Sequence, residues 1–308
     1  MSNYHFLYGP VPSRRMGISL GVSPIPDNYC SHSCIYCQLG RTRKLTTKRE
    51  EFFPLEDIIK EIDQYFLDPM PMDVVTIVGE GEPTLYARLG ELIAYLHTKT
   101  EKPIAVITNG SLLYRQDVAE ELMLADLVLP SVDAVTEKQY KNINRPSKQL
   151  SLETHLEGIK RFSHRFKGQL WIETMLVKGF NDRELDFYAL KEYLDEVAFE
   201  RLYINTPVRP PAEDYVQEPS RETVMKAVEI LGGIAIDELA SEGFESDTAD
   251  DLEAIKSIIK RHPMNQHEIV SFLKKRNRDD VSGLLDMLNE DQVVKKIRYK
   301  GYVTYRLN

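Results

Sequence analysis

Residues 55–85, LEDIIKEIDQYFLDPMPMDVVTIVGEGEPTL, decide how this chain folds. Leu55, Ile58, Ile59, Ile62, Tyr65 and Phe66 recur at spacings of three and four, which puts them on one face of a helix. VVTIV, residues 74–78, is a short apolar and mostly β-branched run, the mark of a buried strand, and the glycines of GEGE end it. Helix, strand and glycine loop together make one αβ step.

The step repeats on both sides. GISLGVS (17–23) supplies a strand ahead of it, and a helix near 88–98, strand IAVIT (104–108), a helix near 117–124 and strand LVLPSV (127–132) follow. Then come a helix over 150–166, strand LWIETMLV (170–177), a helix over 183–196, strand RLYINT (201–206) and helix SRETVMKAVEILGG (220–233). Six βα units result. Their inner strands are near-continuous apolar runs, as parallel strands are when helices cover them. Six units fit an open doubly wound sheet or an incomplete barrel, since a full eight-unit barrel takes about 250 residues. Periodicity does not choose between the two.

Beyond Gly233 the pattern changes. ESDTADDLE is acidic and loop-like, while DLEAIKSIIKRHP, HEIVSFLKKRN and VSGLLDMLNED read as helices and VVKKIRYKGYVTYRL as a hairpin turning at Lys300-Gly301. Three helices and a β-ribbon are the winged-helix order. The expected division is a main domain over 1–235, a linker over 236–247 and a small domain over 248–308.

With 308 residues, 42% of them hydrophobic and 28% charged, the chain can bury a sizeable core, and neither a disordered nor a fibrous class fits. The start, MSNYHFLYGPVPSRR, lacks the basic-then-apolar pattern of a signal peptide, and no run of eighteen apolar residues is present. A cytoplasmic location and no membrane partner are expected. The net charge of −9 argues against a general nucleic-acid binder. The charge is uneven, however: residues 248–308 hold twelve Lys plus Arg against nine Asp plus Glu. Lys274, Lys275, Arg276 and Arg278 close one helix, and Lys295, Lys296, Arg298 and Lys300 lie along the hairpin with Tyr299 and Tyr302. Such residues contact phosphates, serve protein contacts, or cap a helix dipole.

The only three cysteines, Cys30, Cys34 and Cys37, stand in NYCSHSCIYCQLG, in the loop after the first strand. Loops at the carboxyl ends of strands are where α/β folds present ligands. Three cysteines in eight positions are no disulfide framework, and in a reducing compartment they are thiols or metal ligands. Structural zinc wants a fourth ligand, for which His32 is the nearest candidate, whereas three thiolates suit a cubane cluster with one open iron. Both readings stand on spacing alone.

C-x3-C-x-aromatic-C, filled here by Cys30, Cys34, Tyr36 and Cys37, resembles the motif of the radical S-adenosylmethionine (SAM) superfamily. The resemblance implies a partial (βα)6 barrel and a [4Fe-4S] cluster whose open iron takes the amine and carboxylate of SAM, with Tyr36 near the adenine. It also implies reductive cleavage to a 5'-deoxyadenosyl radical, and a one-electron donor such as flavodoxin or ferredoxin. GEGEPTL resembles the superfamily's Gly-Gly-Glu-Pro element, which binds the cofactor's amino group. Gly81 and Glu82 carry the correspondence, and Glu80 stands where the first glycine would be. By the same resemblance Thr108 and Asn109 in TNGS, with Ser131 and Asp133 in SVDA, contact the ribose and the methionine carboxylate. These are also ordinary turn and cap residues.

Glu173 and Lys178 on the fifth strand, and Asn205 and Arg209 after the sixth, are the substrate-side candidates. Arg209, set among prolines, suits a carboxylate or phosphate clamp, or is simply an exposed arginine in a turn. GPVPSRRMG and YCQLGRT further resemble the wyosine-type tRNA-modifying branch of the superfamily, whose second-cluster cysteines this chain lacks. That branch's particular reaction is therefore not expected. The expected substrate is a nucleic acid or a protein or peptide engaged through the winged-helix-like domain. The competing reading is a non-catalytic iron-sulfur or zinc sensor that regulates transcription through the same domain.

Overall fold

A computed structural model of the chain describes residues 4–236, 244, 246, 248, 250–278, 281–299 and 301–307. Its main sheet has eight strands: β1 (Leu7–Ser13), β2 (Gly17–Val22), β5 (Val74–Ile77), β6 (Ile104–Thr108), β7 (Leu127–Pro130), β8 (Gln169–Met175), β9 (Arg201–Asn205) and β10 (Ile234–Ala235). A separate two-stranded ribbon pairs β3 (Tyr29–Cys30) with β4 (Lys44–Leu45) in parallel. The helices between strands are α1 (Leu55–Tyr65), α2 (Leu89–His97), α3 (Gln116–Leu122), the short α4 (Glu137–Gln139), α5 (Leu152–Ser163), α6 (Glu184–Leu194) and α7 (Arg221–Leu231).

Strand order in the main sheet follows chain order, β1-β2-β5-β6-β7-β8-β9-β10, and every neighbour from β2 onward is parallel. The chain therefore winds one way throughout. A doubly wound sheet begins in the middle and reverses, so that alternative is excluded. Adjacent strand residues face opposite sides. Val75, Val106, Val128, Ile172 and Ile204 pack with Ile58, Ile62, Leu92, Ile93, Ile159 and Phe162 from the helices. Val74, Ala105, Leu127, Trp171 and Tyr203 form a second cluster. Both faces are covered, which is why the strands read as unbroken apolar runs. Ile58 and Ile62, fully buried on α1, each contribute about 1.5–3 kcal/mol of burial.

The pattern reading missed β1, which pairs antiparallel with β2 and shifts register between Tyr8 and Val11. Its sequence, LYGPVPS, holds two prolines, which lack the N–H a central strand must donate. They are tolerated here because β1 is the sheet's edge.

The C-terminal elements are α8 (Asp251–Arg261), β11 (Met264–Asn265), α9 (Gln266–Lys275), α10 (Val281–Glu290), β12 (Val294–Tyr299) and β13 (Tyr302–Leu307). The strands form their own sheet, in the order β11-β13-β12. Ala254, Ile258, Ile259, Phe272, Leu273, Leu288 and Tyr305 form a core that also takes Tyr8 and Val11 from β1. Asp250 caps α8 through the Glu253 amide at 2.9 Å, and Asn265 with Glu268 makes a reciprocal cap on α9. Of the linker expected over 236–247, only Ile236, Phe244 and Ser246 are among the described residues, and Phe244 packs into the C-terminal core. Lys300 of the expected turn lies outside them, and Gly301 has φ 80°.

Candidate cofactor site

β3 and β4 bracket the cysteine loop, with Thr46 N–H donating to the Cys30 carbonyl at 2.9 Å and Cys37 N–H to the Cys34 carbonyl at 3.2 Å. A segment after α4 clamps its other side: Ser33 and Ile35 amides donate to the Asn144 and Ile143 carbonyls, and Ser147 N–H to the Ser31 carbonyl, each at 2.9 Å. All three cysteines are unbridged and partly buried. Burial, and next the Glu82 carboxylate, push the Cys30 thiol up to about 12. Burial also raises Cys34 well above the ordinary thiol range and lifts Cys37. Thiols so placed keep their protons until a cation stabilises the thiolates.

Two amides are already aimed at sulfur. Asn109 Nδ2 lies 3.5 Å from Cys30 Sγ, and Asn144 Nδ2 lies 3.7 Å from Cys34 Sγ. His32 Nε2 shares a hydrogen bond with Tyr140 Oη at 2.9 Å, and its ring packs against Tyr140 and His155. Among the described residues no three His, Cys, Asp or Glu side chains converge on one ion position. Zinc is disfavoured on that count. A cubane takes one thiolate per iron and so needs no such convergence, and N–H donors to the sulfurs are what bound clusters use.

The turn after β5 lies against this loop. A Cβ on Gly81 would sit 1.9 Å from the Tyr29 carbonyl oxygen and 2.7 Å from Ile25, so only glycine allows the approach. The neighbouring Glu82 amide donates to the same carbonyl at 3.0 Å. Glu82 itself is buried, and both of its oxygens are engaged. Oε1 accepts from Thr84 N, Thr84 Oγ1 and Thr108 Oγ1 at 3.1, 2.6 and 2.6 Å, and Oε2 from the Asn109 amide at 2.7 Å. Burial raises this carboxyl despite the four donors. Glu82 and Thr108 thus brace the β5 turn to the β6 turn.

Asp133 is a second brace. It is 4% exposed and accepts from Tyr36 Oη at 2.5 Å, Asn144 Nδ2 at 2.7 Å and the Met175 amide at 2.9 Å. Tyr36 is thereby fixed beside Cys37. Asn109 binds the Ser31 hydroxyl at 2.8 Å as well as Cys30, and Ser131, half-buried at the end of β7, bridges in sheet fashion to Glu173. The β5, β6 and β7 turns and the cysteine loop therefore meet at one end of the sheet.

The substrate-side candidates divide. Glu173 pairs with Arg15, from the turn joining β1 and β2, and its Oε1 lies 3.4 Å from Asn205 Nδ2. Burial lowers the Arg15 guanidinium to about 10. Lys178 is exposed to solvent. Arg209 clamps a carboxylate, but an internal one: its two terminal nitrogens lie 3.1 and 3.2 Å from Glu268 on α9, and it also reaches His262 and the Pro263 carbonyl.

Other contacts escaped the sequence reading. Asn144 sits in a π turn, Tyr140–Asn144, that no periodicity announces. Glu80, which stands at the first-glycine position of the motif, pairs with Lys260 of α8 at 2.8 Å. Arg306 of β13 donates to the Gln38 carbonyl, next to Cys37, at 3.3 Å. The expected basic face of the C-terminal unit is also smaller, since Arg276 and Arg278 both pair with Asp251 and Lys296 donates to the Asn289 carbonyl. Lys274, Lys275, Lys295 and Arg298 remain exposed, and α10 has no Lys or Arg.

The profile of the radical SAM superfamily matches residues 25–190, over half the chain. A UPF0026 protein of Methanocaldococcus jannaschii is 39% identical over 98% of this chain and 95% of that protein. A probable dual-specificity RNA methyltransferase RlmN of Thermotoga sp. is 28% identical over 66% of this chain and 58% of that one. Among solved structures, a radical SAM methyltransferase from Sphaerobacter thermophilus matches with a TM-score of 0.53 and 18% identity, covering 71% of this chain and 67% of that chain, a likeness of fold alone.

Proposed function

Because the chain belongs to the radical SAM superfamily and to its UPF0026 proteins, we propose that Cys30, Cys34 and Cys37 hold its cluster and that the turns after β5, β6 and β7 hold SAM. The chain is an enzyme of the radical SAM type, a class that uses a [4Fe-4S] cluster and SAM. When bound, that pair supplies a 5'-deoxyadenosyl radical that abstracts hydrogen from a substrate. The observation that carries the site assignment is the pair of asparagine amides on Cys30 and Cys34, in a loop that a glycine turn touches.

The chain's residues then have distinct tasks. The three cysteines give thiolates, Asn109 and Asn144 stabilise them, and the backbone around Gly81 receives the cofactor's amino group. Asn109 and Ser131 serve its ribose and carboxylate, with Tyr36 as a wall. Glu82, Thr108 and Asp133 hold these groups in place, and Arg15, Glu173 and Asn205 face the substrate. We read the singly wound sheet, residues 1–235, as a partial (βα)6 barrel, and residues 248–308 as a winged-helix-like domain after a linker over 236–247. A one-electron donor of the flavodoxin or ferredoxin class, in the cytoplasm, completes the reading. No described helix is long and apolar enough to cross a membrane.

The substrate reading is a nucleic acid. Exposed Lys274, Lys275, Lys295 and Arg298 support it, as does the Thermotoga relative named for RNA. These four exposed cations suit contact to phosphates. The site assignment is tested by Cys34→Ala: anaerobic reconstitution should leave the variant without the cluster's visible absorbance, and a retained cluster would refute the ligand set.

A further inference from the structure

The C-terminal unit does more than sit beside the sheet. It touches the cofactor end at four places: Lys260 to Glu80, Arg306 to the Gln38 carbonyl, Glu268 to Arg209, and Tyr299 Oη to the Pro207 carbonyl at 2.5 Å. The first contact reaches the glycine turn itself. Glu80 is 6% exposed, and a carboxylate so buried is costly unless a cation accompanies it. Lys260 supplies that cation from α8, with Asp27 at 3.4 Å as a second partner. The peptide carbonyl of Glu80 also accepts from the Asn28 amide at 2.5 Å, two residues before Cys30.

A shift of Glu80 would therefore move the Gly81 backbone and the entry to the cysteine loop together. We propose that Lys260 is a positioning residue for the cofactor: its ion pair with Glu80 holds the Gly79–Glu82 turn in place and couples docking of the C-terminal unit to SAM binding. The proposal rests on the reading that this turn receives the cofactor's amino group. Without Lys260 the buried carboxylate loses the cation that ties it to α8, and the turn is held less firmly. Neutralising both partners lessens the charge left buried.

The test measures SAM binding to the anaerobically reconstituted full chain by equilibrium dialysis, with amide hydrogen exchange over α8 as a second readout. Lys260→Met should weaken binding about tenfold, and adding Glu80→Gln to it should restore affinity to within about threefold of wild type, the signature of a coupled pair. In wild type, SAM should slow exchange in residues 251–261, and in Lys260→Met it should not. Gly81→Ala is the control and should abolish binding. If Gly81→Ala abolishes binding while Lys260→Met binds as wild type, the positioning role is overturned and the turn assignment survives. If both bind as wild type, the turn assignment falls and takes the proposal with it. A double variant no better than Lys260→Met would also overturn it.

Discussion

Asn109 and Asn144 each spend one amide on two tasks, reaching a cysteine sulfur and a second oxygen, on Ser31 or Asp133. This ties the two cysteines to the braces that shape the pocket. Beneath them His155 is buried beside His32 and Tyr140, and burial lowers its pKa to about 4 from 6.5. A base whose folded pKa is depressed contributes stability that is present above the unfolded value and lost as pH falls through the folded one. The unfolding free energy should therefore drop between pH 6.5 and pH 4, by on the order of 3 kcal/mol from this group. His155→Leu should flatten that slope in urea titrations, and an unchanged slope would assign the acid lability elsewhere. The cysteine motif was legible in the sequence because its spacing is chemical information in itself. The roles of Glu82 and Asp133 were not, because a motif names a carboxylate without showing which donors have already claimed it.

At the scale of elements, the strongly patterned helices and strands stood out, since α1 repeats its apolar residues at 3.6 and β5 is a near-continuous apolar run in a parallel sheet covered on both faces. β1 did not, because its prolines look like a loop unless the strand's edge position is known. The link between the β9 loop and α9 was equally hidden, since Arg209 and Glu268 are 59 residues apart. Arg209→Ala should lower stability by about 1–3 kcal/mol, having left the Glu268 carboxylate and the Pro263 carbonyl short of donors. Arg209→Lys should recover little of it, because an ammonium cannot make the forked contact. Thermal unfolding by calorimetry reads both, and wild-type stability in Arg209→Ala would show that the contact is idle.

Across the whole molecule, the singly wound sheet brings its turns to one end, and the C-terminal unit closes against that end through Lys260, Glu268, Tyr299 and Arg306. The sequence pattern predicted two units but carried no sign of the contacts between these segments, because they are single ion pairs and hydrogen bonds between residues far apart in the chain. The outward face keeps Lys274, Lys275, Lys295 and Arg298. Reversing Lys295 and Arg298 to Glu should weaken RNA binding and reduce the slope of log affinity against log salt by roughly two, at nearly one unit per lost phosphate contact. An unchanged slope, or capture of a polypeptide in place of RNA in cross-linking, would move the substrate to another class.

The central claim is that Cys30, Cys34 and Cys37 initiate radical chemistry on SAM. Anaerobically reconstituted protein, given a strong one-electron reductant and SAM, is assayed for 5'-deoxyadenosine and methionine, with Cys34→Ala alongside. The account predicts both products from the wild type and none from the variant. A wild-type protein that assembles its cluster fully yet leaves SAM uncleaved would contradict it.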